Sequence, residues 1–136
     1  MSEVKTHKIV ATAVGRRKLA IASVRLLSGA GEITVNGKPV AQYFPGIVSA
    51  SKYLAPFKIA GVEGKYSASV KIVGGGPHGQ LEAMVLGISR CLVAHKPTLK
   101  PSLRAAKLMT RDPRVRQRRM VGMGGKSRRR KQSPKR

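Results

Sequence analysis

Acidic side chains are almost missing. The 136 residues hold five, Glu3, Glu32, Glu63, Glu82 and Asp112, and no two are neighbours in sequence. Paired acid–base work and Mg²⁺ holding need at least two converging carboxylates, so neither a hydrolase nor a kinase is expected. Cysteine occurs once, at Cys91. That rules out an internal disulfide and a cysteine zinc site, and it fits a reducing compartment. His7, His78 and His95 are dispersed, without the clustering that a metal or a nucleophile's base requires, so no metal or other cofactor is expected. There is no Trp, and only two Phe and three Tyr, so the core must be built from Ala, Val, Ile and Leu. No apolar run approaches the roughly 18 residues of a membrane-spanning helix. The opening MSEVKTHKIVATAV has neither the long apolar segment nor the small-residue cleavage site of a signal peptide. A cytoplasmic protein is expected.

What abounds is positive charge. Lys and Arg number 28, for a net charge of +23. Residues 1–109 carry sixteen basic and four acidic groups, while 110–136 carry twelve basic and one acidic in a fifth of the length. The first segment is long enough for a modest core, burying roughly 65% of its unfolded surface. Self-repulsion on this scale opposes compactness, which points to a large anionic partner.

The apolar pattern gives the elements. Residues 7–14 read as a strand, followed by a basic turn, Gly15-Arg16-Arg17-Lys18. Residues 19–27 alternate, with Ala20, Ala22, Val24 and Leu26 on one face and Leu19, Ile21, Ser23 and Arg25 on the other. A strand at 33–35 closes on Asn36-Gly37, a hairpin signal. Residues 40–44 suggest a helical turn, and 47–55 a helix ending before Pro56. Residues 65–73 alternate again. Leu81, Met84, Val85, Ile88 and Leu92 recur at helical spacing, predicting an amphipathic helix over 79–94. Pro101 opens a shorter helix to about Met109, with Ser102 as its N-cap. A mostly antiparallel sheet with helices on one face follows. The domain division is 1–109 for the globular part and 110–136 for a basic tail.

Two stretches are candidates for chemistry. Gly74-Gly75-Gly76-Pro77-His78-Gly79-Gln80 joins a strand to a helix N-terminus, where backbone N–H groups can face a phosphate. No Gly-Lys-Ser/Thr follows at P-loop spacing, and a turn that aims the helix accounts for it equally well. The basic turn 15–18 puts three cations where they cannot all enter a core, and with the tail it calls for a polyanion. A membrane is not expected, since residues 122–136 offer only Met123 as an apolar anchor and no terminal Cys. Nucleic acid is.

The tail favours a folded RNA. Extended, 27 residues span up to roughly 90 Å, against a radius of gyration of about 13 Å for the rest. Ordering twenty of them costs roughly 20–40 kcal/mol of backbone entropy. Phosphates must therefore meet the tail along most of its length, as in a channel through folded RNA. Arginine suits this, gripping phosphate with two N–H groups and stacking on bases. The scarcity of aromatics argues against reading bases by stacking on a sheet.

Three stretches together resemble the bacterial form of the universal S-nine family of the small ribosomal subunit. They are A-V-G-R-R-K at 13–18, G-G-G-P-H-G-Q-L-E-A-M-V-L-G-I-S-R-C-L at 74–92, and T-R-D-P-R-V-R-Q-R-R at 110–119 followed by S-R-R-R-K and a terminal Lys-Arg. The resemblance implies a two-layer α/β sandwich, a four-stranded sheet with helices packed on it and a left-handed βαβ crossover. It implies a structural, non-catalytic role in translation, bound to the 3′ major domain of 16S-type rRNA in the subunit head beside neighbouring head proteins. Residues expected on rRNA are Arg16, Arg17, Lys18, Arg111, Arg114, Arg116, Arg118, Arg119, Lys126, Arg128, Arg129, Arg130 and Lys131. Lys135 and Arg136 are expected at the anticodon stem-loop of the P-site tRNA. Gly74, Gly75, Gly76, His78, Gly79 and Gln80 form the phosphate-facing loop.

The chain departs from the family at its end. Lys-Gln-Ser-Pro-Lys-Arg stands where Pro-Gln-Phe-Ser-Lys-Arg is usual, so the aromatic is lost and Pro134 stiffens the approach of the last two residues. Cys91 replaces a small or apolar residue. The alternatives from other classes are the protein cofactor of RNase P, whose Arg-Asn-Arg-type signature is not found here, and a general RNA chaperone, which gives no reason for the 74–92 signature.

Overall fold

A computed structural model describes residues 7–125. Strand β1 (Ile9–Arg17) turns through Lys18-Leu19 into the antiparallel β2 (Ala20–Ser28). Lys18 makes this two-residue turn with a left-handed φ of 52°, a region L side chains enter at some cost. Strand β3 (Thr34–Val35) reverses at Asn36-Gly37, where φ values of 50° and 79° match the two-residue hairpin expected there. The chain returns as β4 (Lys38–Pro39), then runs through two helices, α1 (Val40–Tyr43) and α2 (Ile47–Ala60). Strand β5 (Tyr66–Val73) pairs antiparallel with β2 and parallel with β3. Helix α3 (Pro77–His95), a 3₁₀ turn at Pro97–Leu99 and α4 (Lys100–Ala105) complete the order.

The sheet therefore has five strands, ordered β1-β2-β5-β3-β4, rather than the four expected. The extra one is the two-residue β4, too short to leave a periodic trace. Where β3 ends, the Asn36 side chain continues its ladder. Its Nδ2 donates to the Ile72 carbonyl at 3.1 Å, and its Oδ1 accepts from the Ile72 N–H at 2.9 Å.

Helix α3 lies across one face of the sheet. Its Leu81, Met84, Ile88 and Leu92 are buried against Ala20, Ala22, Val24 and Leu26 of β2 and Ala68, Val70 and Ile72 of β5. Each large side chain so buried contributes about 1.5–3 kcal/mol. The sheet residues are small, so the helix comes close. A Cβ on Gly15 would overlap the Ala83 carbonyl, and one on Gly87 would lie 2.6 Å from Val24 Cγ2. Helix α2 packs on α3, and α4 buries Leu103 completely. Both lie on the helical side, and among the described residues nothing covers the opposite face of the sheet.

Local chemistry moved several boundaries. Helix α2 does not stop before Pro56 but continues a further turn. The proline removes one backbone hydrogen bond, and the burial of Tyr53, Pro56 and Phe57 offsets it. The helix ends instead at Gly61, in the left-handed region, with the Val62 N–H closing onto the Phe57 carbonyl at 3.0 Å. Helix α3 starts at Pro77, two residues early, because proline at the first helical position sacrifices no hydrogen bond. Ser102 lies within α4 and caps nothing, and α4 stops at Ala105 rather than near Met109. The quartet expected as a basic turn is strand as far as Arg17.

Candidate nucleic-acid interface

The strand through Arg17 divides the first basic cluster. Along β1, Ala11, Ala13, Gly15 and Arg17 share the face under α3, while Arg16 points to the open side. Arg16 and Lys18 are exposed, and the Arg17 side chain is only 11% exposed. A buried guanidinium needs partners, and Arg17 has two. Its Nε lies 2.8 Å from Glu82 Oε2 of α3, and its Nη1 meets Asp112 Oδ2. Neither N–H is aligned for a hydrogen bond, so charge holds these contacts.

Asp112 is the pivot of a second cluster. Arg114 folds back on it, with Nε 3.0 Å and Nη2 2.8 Å from Oδ2, and the Arg114 backbone N–H donates to Oδ1 at 3.0 Å. This is the Asx-type turn that Asp-Pro favours. The Arg114 side chain, its backbone N–H and Arg17 together hold the Asp112 carboxyl well below the usual carboxylate range. Arg114 is raised in turn, chiefly by its hydrogen bonds to Asp112. One buried cation thus links β1, α3 and the root of the basic segment.

Beyond that root the chain is bare. Residues 110–119 form no helix or strand, and 120–125 only turns. Arg111, Arg114, Arg116, Arg118 and Arg119 are all exposed, as are Val115, Met120 and Val121. Lys126, Arg128, Arg129, Arg130, Lys131, Lys135 and Arg136 lie outside the described residues.

The glycine loop is engaged internally. Gly74 and Gly75 take left-handed φ values of 75° and 70°, and their backbone lies against Leu19 and Ala20, where a Cβ on Gly74 would come within 2.7 Å of the Leu19 carbonyl oxygen. Gln80 Nε2 donates to the Gly74 carbonyl at 3.0 Å, and its Oε1 accepts from the Tyr43 hydroxyl at 2.9 Å. Gly76 precedes the first helical residue, Gly79 is buried, and His78 is exposed. The loop sets α3 on the β1–β2 turn, and of its predicted polar contacts His78 and the backbone stay open to solvent.

Next to Arg17, a groove of about 540 Å³ runs between α2, α3 and the segment after α4, with Val48, Lys52, Val85, Leu86 and Leu108 along it. Cys91 is fully buried under the sheet, its Sγ 3.5 Å from the Val24 carbonyl, and burial pushes its thiol up to about 11. Among the described residues, no group of three or more His, Cys, Asp or Glu side chains could hold a metal ion. No helix of the described residues is long and apolar enough to cross a membrane. Two cations that cluster-reading of the sequence passed over, Arg25 and Lys71, stand exposed on the open sheet face. Strand parity alone would have placed them there.

A basic, uncovered surface around an exposed arginine-rich segment has the geometry to meet a polyanion, and comparison with known proteins gives the family. The family model described as ribosomal protein S9/S16 matches residues 15–136. The chain is 45% identical over 112 residues to the small ribosomal subunit protein uS9 of Leifsonia xyli subsp. xyli, covering 82% of this chain and 67% of that one. It is 43% identical over 119 residues to uS9 of Synechocystis, covering 87% of each. It is 42% identical over 110 residues to uS9 of Corynebacterium efficiens, covering 81% of this chain and 60% of that longer one. The match runs through the Arg17–Glu82–Asp112 cluster and the whole basic segment, and the chain belongs to the ribosomal protein S9/S16 family.

Proposed function

We propose that this chain is a structural, non-enzymatic component of the small ribosomal subunit that binds 16S-type rRNA in the subunit head, with neighbouring head proteins around it. The observation that carries the reading is the basic segment, whose five described arginines are solvent-exposed and whose described residues form no helix or strand. Beyond the Asp112 contact to Arg17 the described part of the segment makes no ion pair with its own body, and along a channel of phosphates it gains contacts and released counterions. The uS9 names of its relatives support the same assignment.

Residues 1–109 act as the docking domain and 110–136 as its extended arm. Arg16 and Lys18, with Arg111, Arg114, Arg116, Arg118 and Arg119 and the later Lys126, Arg128, Arg129, Arg130 and Lys131, neutralise rRNA phosphates. Arg17 is left out of this set, because two carboxylates already hold its guanidinium. His78 and the Gly74–Gly79 backbone add a minor contact. Lys135 and Arg136 reach the anticodon stem-loop of the P-site tRNA. The crossover from β3 through α1 and α2 to the parallel β5 is the βαβ unit, left-handed as in the family. The site of action is the cytoplasmic ribosome.

Sucrose-gradient sedimentation at low Mg²⁺, which separates the subunits, tests the reading. The chain co-migrates with the small subunit and survives a high-salt wash. Release at moderate salt would reduce its attachment to sequence-independent electrostatics and refute the ribosomal assignment. Within assembled subunits, deleting residues 134–136 weakens P-site tRNA retention with assembly nearly intact, and normal tRNA affinity in the truncated subunits would refute the tRNA contact.

A further inference from the structure

The face of the sheet away from α3 is laid out in rows. Strand register puts Thr12 opposite Arg25 and Arg25 opposite Ser69. The next row is Val14, Ser23 and Lys71, and the third is Arg16, Ile21 and Val73. All are exposed except the half-buried Ser69. These three rows hold three cations and three hydroxyls and no carboxylate.

Arg25 and Lys71 are diagonal neighbours across β2 and β5, a relation that places side-chain origins about 7–8 Å apart. Like charges at that distance repel, and no acid stands in these rows to relieve them. A depression of about 590 Å³ lies over the same residues, lined by Ser23, Arg25, Asn36, Ser69 and Lys71. Within it, the Asn36 amide is taken up by the Ile72 backbone, so among the described residues the donors left unengaged are the two cations and the serine hydroxyls. No aromatic side chain stands in these rows, which removes the stacking platform by which sheet proteins read bases.

From this layout we infer that the open sheet face is a second RNA-binding surface, distinct from the arm, in which Arg25 and Lys71 with Ser23 and Ser69 clamp consecutive phosphates of a folded RNA backbone. It rests on the RNA-binding reading above and adds a surface that the basic clusters did not reveal. The occupant is the sugar–phosphate backbone, because charge complementarity calls for an anion and nothing on the face selects a base. Val14 of the second row and Ile21 and Val73 of the third bound the clamp on the side of the β1–β2 turn. A protein neighbour would be drawn to that apolar end and would leave Arg25 and Lys71 unpaired.

The test uses the full chain and a transcript of the 3′ major domain of 16S-type rRNA. A hydroxyl-radical-generating iron chelate is attached at Ser23→Cys, or in a second protein at Arg119→Cys on the arm. Cys91 is buried, so only the introduced thiol is labelled. Expected is a compact set of backbone cuts from Ser23→Cys that differs from the set made by Arg119→Cys. Cuts from the arm alone would overturn the inference and hand the face to a protein neighbour or to solvent. If neither probe cuts and the unlabelled chain does not bind the transcript, the RNA-binding reading itself fails, and the inference with it. In parallel, Arg25→Ser with Lys71→Ser lowers the slope of log affinity against log salt by about 1.4–1.8, for two lost phosphate contacts. Both positions are exposed, so an unchanged thermal melt shows that the fold is kept. An unchanged slope overturns the inference.

Discussion

The residues up to Met109 and the segment 110–125 are made of the same twenty letters and held by opposite means. In the first, small residues let one helix lie nearly against a sheet, and stability comes from apolar surface removed from water. In the second there is no core, and its root is fixed by charge alone, through Arg17. Packing tolerates salt but not an extra methyl group. The charge-held root tolerates changes of size but not the loss of a partner. The contrast shows how one chain can carry a packed body and, from an anchored root, a segment whose other described arginines stay exposed.

Four experiments break or sharpen that contrast. The largest effect is expected from Gly15→Val. The added atoms overlap the Ala83 carbonyl, which is helix backbone and cannot move aside, so the body loses 4 kcal/mol or more. Urea denaturation monitored by circular dichroism measures it, and the arm is not affected directly. Next is Arg17→Met, which keeps the bulk and removes the charge. Glu82 and Asp112 are partly exposed and water can reclaim them, so the loss is about 1–3 kcal/mol. Trypsin then cleaves faster after Arg111 and Arg114. Glu82→Gln costs less, because its side chain is 47% exposed, and it leaves the cleavage pattern near normal.

The third effect is smaller and separates the regions by pH. Cys91 ionises at about 11 in the folded body, above an ordinary thiol. The folded state therefore holds the proton longer, and stability falls as pH rises from about 8.5 toward 11. Thiol reagents at pH 8 leave Cys91 unmodified until the body unfolds. The smallest effect belongs to Asp112. Its folded pKa is depressed, so its contribution is present above the unfolded value of about 3.9 and is lost only as pH falls through the lower folded value. The Arg114 amide resonance stays constant between pH 5 and 8 and shifts only in strong acid. Movement near pH 4 would mean that Arg17 and Arg114 do not hold the carboxylate.

Much of the body was legible from local pattern. Alternation at 20–26 and 66–72 named the buried sheet face, the 3.6-residue period gave α3, and Asn36-Gly37 gave its hairpin. What stayed hidden involved distance. β4 has two residues and no period to detect. Pro56 reads locally as a stop, and only the burial of Tyr53 and Phe57 against other elements overrides it. Arg17 looked like one cation among three because its partners lie 65 and 95 positions away. A trace did exist. Counting by twos from Ala11 and Ala13 through Gly15 lands on Arg17 at an inward position, where a lone charge demands a carboxylate. The basic segment offers one, Asp112. For the arm beyond it, composition gave the charge without fixing a path.

The Asp112 clamp also bears on how quickly the arm finds its target. A segment leaving a body from a fixed root is already oriented, and once the body has docked, the remaining cations meet nearby phosphates at the effective concentration of a tethered ligand, near millimolar for a short flexible tether. Because the only acid between Thr110 and Arg136 is already engaged by Arg17 and Arg114, no further carboxylate of the segment competes for its other cations. On the RNA-binding reading proposed above, docking of the body and threading of the arm are two sequential steps, the second unimolecular and insensitive to the protein's overall concentration.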